Sequence, residues 1–183
     1  GFLITYLLYA EKKETGKIAV KAFYLRRIFR IWPLYYFVFI LGFLVLPHLG
    51  LFEVPSQLAY LEENYWINFI FYLIILPNLA LAFSPEGISV PNIGQSWSIG
   101  VEEQFYLIWP LIVGFFKKPI HAILWVTGIY LLIKAGVVLY AASHQAGWLT
   151  VLKQFLAMSK IECMTIGGLG AYYYFFHREW ILK

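Results

Sequence analysis

The sequence predicts an all-α membrane protein folded as a polytopic bundle of transmembrane helices. Hydrophobic residues make up 61% of its 183 residues and charged residues 13%, which is roughly half the charged share of a soluble domain. Two uncharged windows, residues 31–52 and 64–85, are each 22 residues long, enough for a helix to cross a hydrocarbon core of about 30 Å. Windows of this length and apolarity suit helices, which satisfy their own backbone groups in lipid, better than the strands of a barrel.

About five full spans and a truncated N-terminal one are predicted in chain order. Residues 1–10 are apolar, begin with glycine and lead into the charged run 11–14, so we expect the tail of a truncated span and a chain that is a fragment. Full spans are predicted at 31–52, 64–85, 99–116, 119–142 (interrupted by Lys134) and 161–176. Prolines are expected at the span edges: Pro47, Pro55, Pro77, Pro85, Pro91 and Pro119. No repeat or low-complexity tract divides the chain, which favours a single partial membrane domain over residues 1–183.

The placement of charge predicts an orientation. Half of the 14 basic residues lie between residues 11 and 30, and the positive-inside rule places this basic loop in the cytoplasm. If every later span crosses once, the acidic linker with Glu53, Glu62 and Glu63 lies outside and residues 84–96 lie in the cytoplasm. Lys117 and Lys118 then lie outside, against the rule, and a re-entrant segment would reverse this assignment.

An arginine cluster in the basic loop is the first candidate site. Arg30 lies three residues after Arg27 and four after Arg26, a spacing that brings guanidinium groups together on one face of a helix. Arginine binds phosphate in bidentate fashion, so the cluster suits lipid headgroups or the phosphates of a nucleotide-like cofactor. The alternative is an orientation anchor at the interface, with an aromatic belt formed by Trp32, Tyr35 and Tyr36. Nucleic-acid binding is disfavoured because the basic residues adjoin a span.

Two adjacent acids in the span at 99–116 are the second candidate site, because ionisable residues inside a membrane are costly and usually functional. On a helix that begins near Trp97, Glu103 points about 100° away from Glu102. The residues predicted to share the face of Glu102 are Ser98, Phe105, Tyr106 and Trp109. The alternative is that both acids are hydrated at the membrane surface. Pro110 is expected to produce a local kink, and Ser98 is expected to cap the helix rather than act as a nucleophile.

Four segments, in this order and spacing, resemble the acyltransferase-3 family of integral-membrane O-acyltransferases: 1–5 (GFLIT), 23–34 (FYLRRIFRIWPL), 76–79 (LPNL) and 97–110 (WSIGVEEQFYLIWP). The resemblance implies transfer of an acyl group, often acetyl, from cytoplasmic acyl-CoA to a hydroxyl of a sugar in a cell-surface polysaccharide or glycolipid. It also implies the bacterial inner membrane as the location, with membrane lipids as the surroundings.

The resemblance assigns roles to particular residues. It associates Arg27 and Arg30 with the acyl donor, together with the neighbouring Arg26, and it matches the family's glutamate motif to Glu102, followed by Glu103. The essential histidine of the family lies before Gly1, so we expect this chain alone to be inactive. None of the four histidines replaces it: His48, His121, His144 and His177.

Acyl transfer needs a base for the hydroxyl proton and donors or cations for the developing oxyanion. Glu102 could orient the expected histidine, accept a hydrogen bond from the sugar or pair with an arginine. Trp97, Tyr106 and Trp109 suit a sugar or pantetheine, although ordinary helix packing is the alternative, and Ser98 adjoins them. Lys134 is expected to snorkel or to pair within the bundle, Asn78 to satisfy backbone groups freed by Pro77, and no metal site is predicted. A membrane transporter and a non-catalytic membrane scaffold are the competing interpretations.

Overall fold

The structure, a computed structural model, describes residues 1–49, 55–84, 87, 89–116, 118–144 and 146–181. Within these ranges the regular secondary structure is helical, as predicted. Phe52, Glu53, Pro85 and Lys117, which took part in the predicted spans and loops, lie outside the described residues. The chain divides into a first unit, made of Gly1–Ala22, Phe105–Ala146 and Lys160–Lys183, and a second unit, made of Phe23–Gln104 and Gly147–Ser159.

Eleven α-helices are numbered in chain order through the described ranges. They are α1 Phe2–Thr15, α2 Val20–Ile40, α3 Leu46–Leu49, α4 Pro55–Glu63, α5 Tyr65–Leu73, α6 Pro77–Phe83, α7 Trp97–Phe115, α8 Pro119–Ser143, α9 Gly147–Ser159, α10 Ile161–Phe176 and α11 Arg178–Ile181. A π-helical turn, Leu41–Val45, joins α2 to α3, and a 3₁₀ turn, Gly94–Ser96, leads into α7. Pro55, Pro77 and Pro119 each occupy the first position of a helix, where proline lacks no hydrogen bond.

Two helical runs are long and apolar enough to cross a membrane, judged by length and composition. They are Val20–Leu49, with 30 residues, and Ile120–Ser143, with 24 residues. The helices α7 and α10 coincide closely with the predicted spans 99–116 and 161–176, but the predicted number of spans is not established by these two runs. Pro110 lies inside α7, which continues to Phe115.

In the first unit, α1 packs along α10 and also contacts α7. The indole Nε1 of Trp109 donates a hydrogen bond of 2.9 Å to Thr5 Oγ1, and both residues are buried. Lys12 Nζ donates to the carbonyl oxygens of Val113 and Phe116 at 3.0 and 3.1 Å. The ammonium group therefore caps the carboxyl end of α7, where the open carbonyls and the helix dipole favour a cation.

Lys134 pairs within the first unit, one of the two roles predicted for it. Its ammonium group lies 2.6 Å from Glu162 Oε1 at the start of α10, and both side chains are about three-quarters buried. The other carboxylate oxygen of Glu162 is buried without a hydrogen-bond partner in the described part of the chain. Each charge offsets much of the cost of burying the other, which allows both to lie in an apolar unit.

The second unit has an aromatic-rich core where α2 and the π-helical turn pack on α5 and α6. Its buried residues are Phe39, Phe43, Leu61, Tyr72, Ala80, Val90 and Ile93. The rings of Phe39, Phe43 and Phe69 lie with centroids 4.9 to 5.5 Å apart, a range typical of favourable aromatic packing. Gly42 makes this packing possible, because a Cβ there would lie 2.4 Å from Ile93 Cδ1.

The predicted span at 64–85 is not one continuous helix, because its described residues form two short helices instead. α5 ends at Leu73 and α6 begins at Pro77, and Ile75 between them has a φ of 59°, a left-handed conformation that no helix continues through. Two tyrosines of α2 satisfy the carbonyls at the end of α5: Tyr35 Oη donates to the Tyr72 carbonyl at 2.7 Å and Tyr36 Oη to the Leu73 carbonyl at 2.9 Å.

Candidate functional site

The three arginines of the α2 cluster differ in how far their side chains are exposed. Arg26 and Arg30, four residues apart, are exposed, whereas Arg27 is half-buried. The Arg27 guanidinium carbon lies 5.4 Å from the centroid of the Phe23 ring, within the range of a cation–π contact. The Arg27 side chain therefore packs along α2 itself, and the side chains of Arg26 and Arg30 are exposed on the helix surface.

The helix that carries the acids begins at Trp97, as predicted. Ser98, however, does not cap it, because its Oγ donates a hydrogen bond of 3.1 Å to the Gln95 carbonyl. A capping side chain would accept from a backbone N–H, and Ser98 already lies inside the first turn, where a serine hydroxyl bonds back to a preceding carbonyl. The predicted capping role of Ser98 is wrong.

The two acids have different surroundings, as the helical geometry predicted. Glu102 is exposed and Glu103 is half-buried. Glu103 Oε2 accepts a hydrogen bond of 3.3 Å from Trp32 Nε1 of α2. Its other oxygen, Oε1, is buried and has no hydrogen-bond partner among the residues that the structure describes. Burial disfavours the charge on this carboxylate, and the hydrogen bond from Trp32 and the charge of Arg27 offset part of that effect.

Glu103, Arg27 and Trp32 therefore form the candidate site, with one residue from α7 and two from α2. A pairing of Glu102 with an arginine was one predicted possibility, whereas the acid that interacts electrostatically with Arg27 and is half-buried is Glu103. The sequence gives no sign of this choice, because either of two adjacent acids can face inward depending on how the helix is rotated. A carboxylate with one bonded oxygen and one buried open oxygen can accept a further hydrogen bond or a proton.

A reciprocal amide pair fixes the turn of α7 that carries Glu103. Gln104 Nε2 donates to Asn78 Oδ1 at 2.8 Å, and Asn78 Nδ2 donates to Gln104 Oε1 at 3.2 Å. Asn78 is fully buried at the start of α6. The role predicted for Asn78, satisfying backbone groups freed by Pro77, is wrong, because its amide pairs with another side chain.

Gly100 allows α6 to approach α7 closely at this point. A Cβ on Gly100 would lie 2.8 Å from Asn78 Oδ1 and 2.9 Å from Pro77 Cδ, closer than real Cβ contacts. The missing side chain, one turn before Gln104, therefore makes room for the amide pair. Sequence reasoning missed this contact, and the one available signal was a glycine inside a predicted helix, which usually has a packing reason.

The residues predicted to contact the substrate lie along α7. Trp97 is half-buried and Ser98 exposed in the second unit, whereas Tyr106 lies in the first unit, with its ring centroid 6.3 Å from that of Phe105. Trp109 is engaged with Thr5, so its predicted alternative role in packing is the observed one. Contact of Trp97, Ser98 and Tyr106 with a substrate stays a prediction.

Comparison with known proteins finds similarity to O-acetyltransferases. The chain is 30% identical over 155 residues to the peptidoglycan O-acetyltransferase OatA of Listeria monocytogenes. This match covers 83% of the chain and 23% of the Listeria protein. It is 31% identical over 121 residues to the O-acetyltransferase OatA of Staphylococcus aureus. This match covers 63% of the chain and 18% of the Staphylococcus protein. The chain thus spans about a fifth of the length of these curated relatives. No family model matches it, and no solved structure matches it.

These relatives are named as O-acetyltransferases, the class of enzyme that the sequence motifs resemble. Neither relative's name includes acyltransferase-3, so that finer assignment remains a prediction. The match with the Listeria enzyme extends over most of the chain, so the likeness is not restricted to the acidic motif of α7.

Proposed function

We propose that the chain is part of an integral-membrane O-acetyltransferase that moves an acetyl group from acetyl-CoA to a sugar hydroxyl of a cell-surface polysaccharide. The observation that carries this proposal is the half-buried Glu103 carboxylate, which accepts a hydrogen bond from Trp32, interacts electrostatically with Arg27 and has one buried oxygen without a partner among the described residues. A half-buried acid is costly in an apolar protein, and such groups are retained mainly for function. The similarity to enzymes named OatA supplies the class of reaction.

The arginines of α2 are proposed to bind the acyl donor. Coenzyme A carries several phosphates, and exposed guanidinium groups such as those of Arg26 and Arg30 bind phosphate oxygens in bidentate fashion. Arg27 lies on α2 with these two arginines and interacts electrostatically with Glu103 of α7. It would then lie between the bound phosphates and the Glu103 carboxylate. In this arrangement the arginines hold the donor beside the acid without contributing a proton.

Acetyl transfer to an alcohol requires removal of the hydroxyl proton as the oxygen attacks the thioester carbonyl, and departure of the CoA thiolate, which takes up a proton. The open Oε1 of Glu103 is proposed to accept a hydrogen bond either from the acceptor hydroxyl or from the histidine that the family resemblance implies. Arg27 would stabilise the negative charge that develops on the carbonyl oxygen. Glu102, exposed one position earlier, is proposed to contact the acceptor side.

The acceptor is proposed to be a sugar of the cell envelope, with a glycolipid as the alternative carrier. Trp97 and Tyr106 each present a flat apolar face with one polar edge, which suits a sugar ring, and Ser98 Oγ is exposed beside Trp97. The proposed location is the bacterial inner membrane, with the basic loop 11–30 in the cytoplasm, where acyl-CoA is available, and with membrane lipids around the helices.

The test compares acetyl transfer by the protein that carries these residues with transfer by the variants Glu103→Gln and Arg27→Gln. Membranes are incubated with acetyl-CoA labelled in the acetyl group, and label in the polysaccharide fraction is measured. We expect at least a 100-fold loss for Glu103→Gln, because positioned acid–base groups contribute about 10²–10⁴-fold. Glu62→Gln, on the exposed face of α4, is the matched control and should retain wild-type transfer.

Wild-type transfer by both Glu103→Gln and Arg27→Gln would contradict the proposed site. A wild-type protein that moves solute across the membrane without forming an acetylated product would identify a transporter. A protein that binds no acetyl-CoA and forms no product would indicate a scaffold. Each result refers to protein first shown to be present in the membrane fraction in equal amount.

A further inference from the structure

The two carboxylate oxygens of Glu103 have different surroundings. Oε2 accepts a hydrogen bond of 3.3 Å from the indole Nε1 of Trp32, whereas Oε1 is buried and has no partner among the residues that the structure describes. The last side-chain torsion of a glutamate is broad and roughly two-fold, so the two oxygens of an unrestrained carboxylate exchange places readily. The contact with Trp32 therefore makes the two oxygens of Glu103 different.

The indole group of Trp32 acts on the carboxylate in one direction only. An indole N–H is a donor and has no acceptor atom, so Oε2 of Glu103 is the accepting oxygen of this pair. A hydrogen bond to a carboxylate is shorter and stronger than one between neutral groups. A further donor, such as a substrate hydroxyl or an imidazole N–H, is therefore directed to Oε1.

The indole ring rests on Tyr36, one turn further along α2. The centroids of the two rings lie 6.0 Å apart with an interplanar angle of 83°, the edge-to-face arrangement that aromatic pairs favour. Tyr36 makes similar edge-to-face contacts with Tyr35 and Phe39, whose ring centroids lie 5.4 and 6.3 Å away. These contacts restrict the Tyr36 ring, which gives the indole of Trp32 a fixed surface to pack on.

The hydroxyl of Tyr36 connects this packing to the end of α5. Tyr36 Oη donates a hydrogen bond of 2.9 Å to the Leu73 carbonyl. In a continuous helix this carbonyl would accept from the backbone N–H of residue 77, but Pro77 has no N–H. The break between α5 and α6 thus leaves an acceptor that a side chain of α2 binds. Through Tyr36 and Trp32, the end of α5 is linked to Glu103.

The start of α6 restrains the same turn of α7. Gln104, the residue after Glu103, exchanges two hydrogen bonds with Asn78, the second residue of α6. The amide pair opposes rotation of α7 about its axis, whereas the indole of Trp32 restricts the end of the Glu103 side chain. The acid is therefore held in two ways, from the end of α5 and from the start of α6.

We infer that Trp32 is a positioning residue for the acid: its indole N–H occupies Oε2 of Glu103, so that Oε1 meets the acceptor hydroxyl or the expected histidine, and Tyr36 holds the indole in place. This role rests on the proposed function of Glu103. Misplacement of a group at a reacting centre by about 1 Å can lower a rate about 100-fold. Loss of the hydrogen bond that orients Oε1 should therefore slow acetyl transfer, although Trp32 itself transfers no proton.

The test compares steady-state acetyl transfer from acetyl-CoA by the full protein in membranes with transfer by Trp32→Phe, which keeps an aromatic ring and removes the N–H. We expect kcat to fall about 10-fold to 100-fold, with the KM for acetyl-CoA within about twofold of wild type, because the lost contact orients the acid and does not bind the donor. Benzothienylalanine at position 32 keeps the shape of tryptophan with sulfur in place of the N–H, and it should show the same loss.

Tyr36→Phe should lower kcat less than Trp32→Phe, because it keeps the ring that supports the indole and removes only the bond to Leu73. Two matched controls make the same exchanges elsewhere in the second unit. They are Trp66→Phe on α5, where the side chain is 71% exposed, and Tyr60→Phe at a half-buried position of α4. Both controls should retain wild-type kcat, with all rates referred to equal amounts of protein in the membrane fraction.

A double variant separates positioning from a purely structural role. Glu103→Ala leaves no carboxylate to orient, so adding Trp32→Phe should lower the residual transfer by no more than about twofold. If Trp32 supported only the general structure, the two losses would multiply, and a further loss of about 10-fold or more would overturn the positioning role.

The outcomes also separate this role from the function proposed for the acid. Wild-type transfer by Glu103→Gln would overturn both. Loss of transfer in Glu103→Gln with wild-type kcat for the benzothienylalanine protein would leave the acid in place and overturn only the role of Trp32. Recovery of kcat by benzothienylalanine after a loss in Trp32→Phe is one form of that result, because it would show that the shape of the indole matters and its N–H does not.

Discussion

The amide pair between Asn78 and Gln104 leads to a quantitative prediction about the stability of the candidate site. The two hydrogen bonds measure 2.8 and 3.2 Å, and Asn78 is fully buried. Replacing one amide by an apolar side chain of similar shape leaves the other amide buried and unpaired. Such a group costs about 1–3 kcal/mol, whereas hydrogen bonds between helices in membrane proteins average less, about 0.6 kcal/mol with a maximum near 1.7.

We therefore expect Asn78→Leu and Gln104→Met each to lower the free energy of unfolding by about 1–2 kcal/mol. The double variant should lose less than the sum, because replacing both partners removes the unpaired amide. The expected coupling free energy is about 1 kcal/mol. Reversible unfolding in mixed micelles, followed by tryptophan fluorescence and circular dichroism, provides all four corners of the double-mutant cycle.

The matched control combines Asn78→Leu with Gln57→Met, a similar substitution on the half-buried face of α4. The effects of these two substitutions should add within about 0.5 kcal/mol, as for sites without shared partners. If Asn78→Leu and Gln104→Met were equally additive, the reciprocal amide contact would contribute nothing to stability. The reasoning that ties α6 to the Glu103 turn of α7 would then be refuted.

Other contacts give further predictions, all measurable by the same unfolding experiment. Gly100→Ala should lower the free energy of unfolding by about 1–3 kcal/mol because of overpacking. Gly128→Ala, whose added Cβ meets nothing within 4 Å, should be neutral or stabilise the protein by up to about 1 kcal/mol. Equal effects of the two substitutions would contradict the close approach at Gly100. Lys134→Met should lower the free energy of unfolding by about 2 kcal/mol, a value already reduced for the partial exposure of the pair, and adding Glu162→Gln should recover part of that loss. A larger loss in the double variant would argue against the ion pair. Lys12→Met should cost about 0.5–1 kcal/mol through loss of the cation at the end of α7, and an unchanged midpoint would show that this cap is not stabilising.

The helical architecture could be predicted from the sequence because it depends on local properties. The starts of α7 at Trp97 and of α8 at Pro119 follow from turn residues and apolar runs. The break between α5 and α6 could not be read in the same way, because hydropathy remains high through Ile74, Ile75 and Leu76. The backbone reversal depends on the left-handed Ile75 and on tyrosine hydroxyls from a distant helix.

The candidate site was predictable in its residue types but not in its partners. The spacing of α7 showed that Glu102 and Glu103 would have different neighbours. Which acid faces inward depends on the rotation of α7, and a contact about 26 residues away in sequence, between Asn78 and Gln104, accompanies that rotation. Trp32, predicted as part of an interfacial belt, instead donates to Glu103, a tertiary contact that no local pattern encodes.

The phenol groups of Tyr35 and Tyr36 determine which sequence changes are tolerated where α2 packs on the end of α5. Phenylalanine at either position would keep the aromatic ring and would make the segment more apolar, so substitution tables rank the exchange as mild. In a medium without water, however, the carbonyl of Leu73 would lose its hydroxyl donor and would find no replacement. The carbonyl of Tyr72 would keep one of its two donors, because it also accepts from the Ile75 N–H. An exchange that polarity ranks as harmless thus removes a hydrogen bond at the end of α5, with the larger effect at Tyr36, and natural variants at Tyr36 should retain a hydroxyl or another donor.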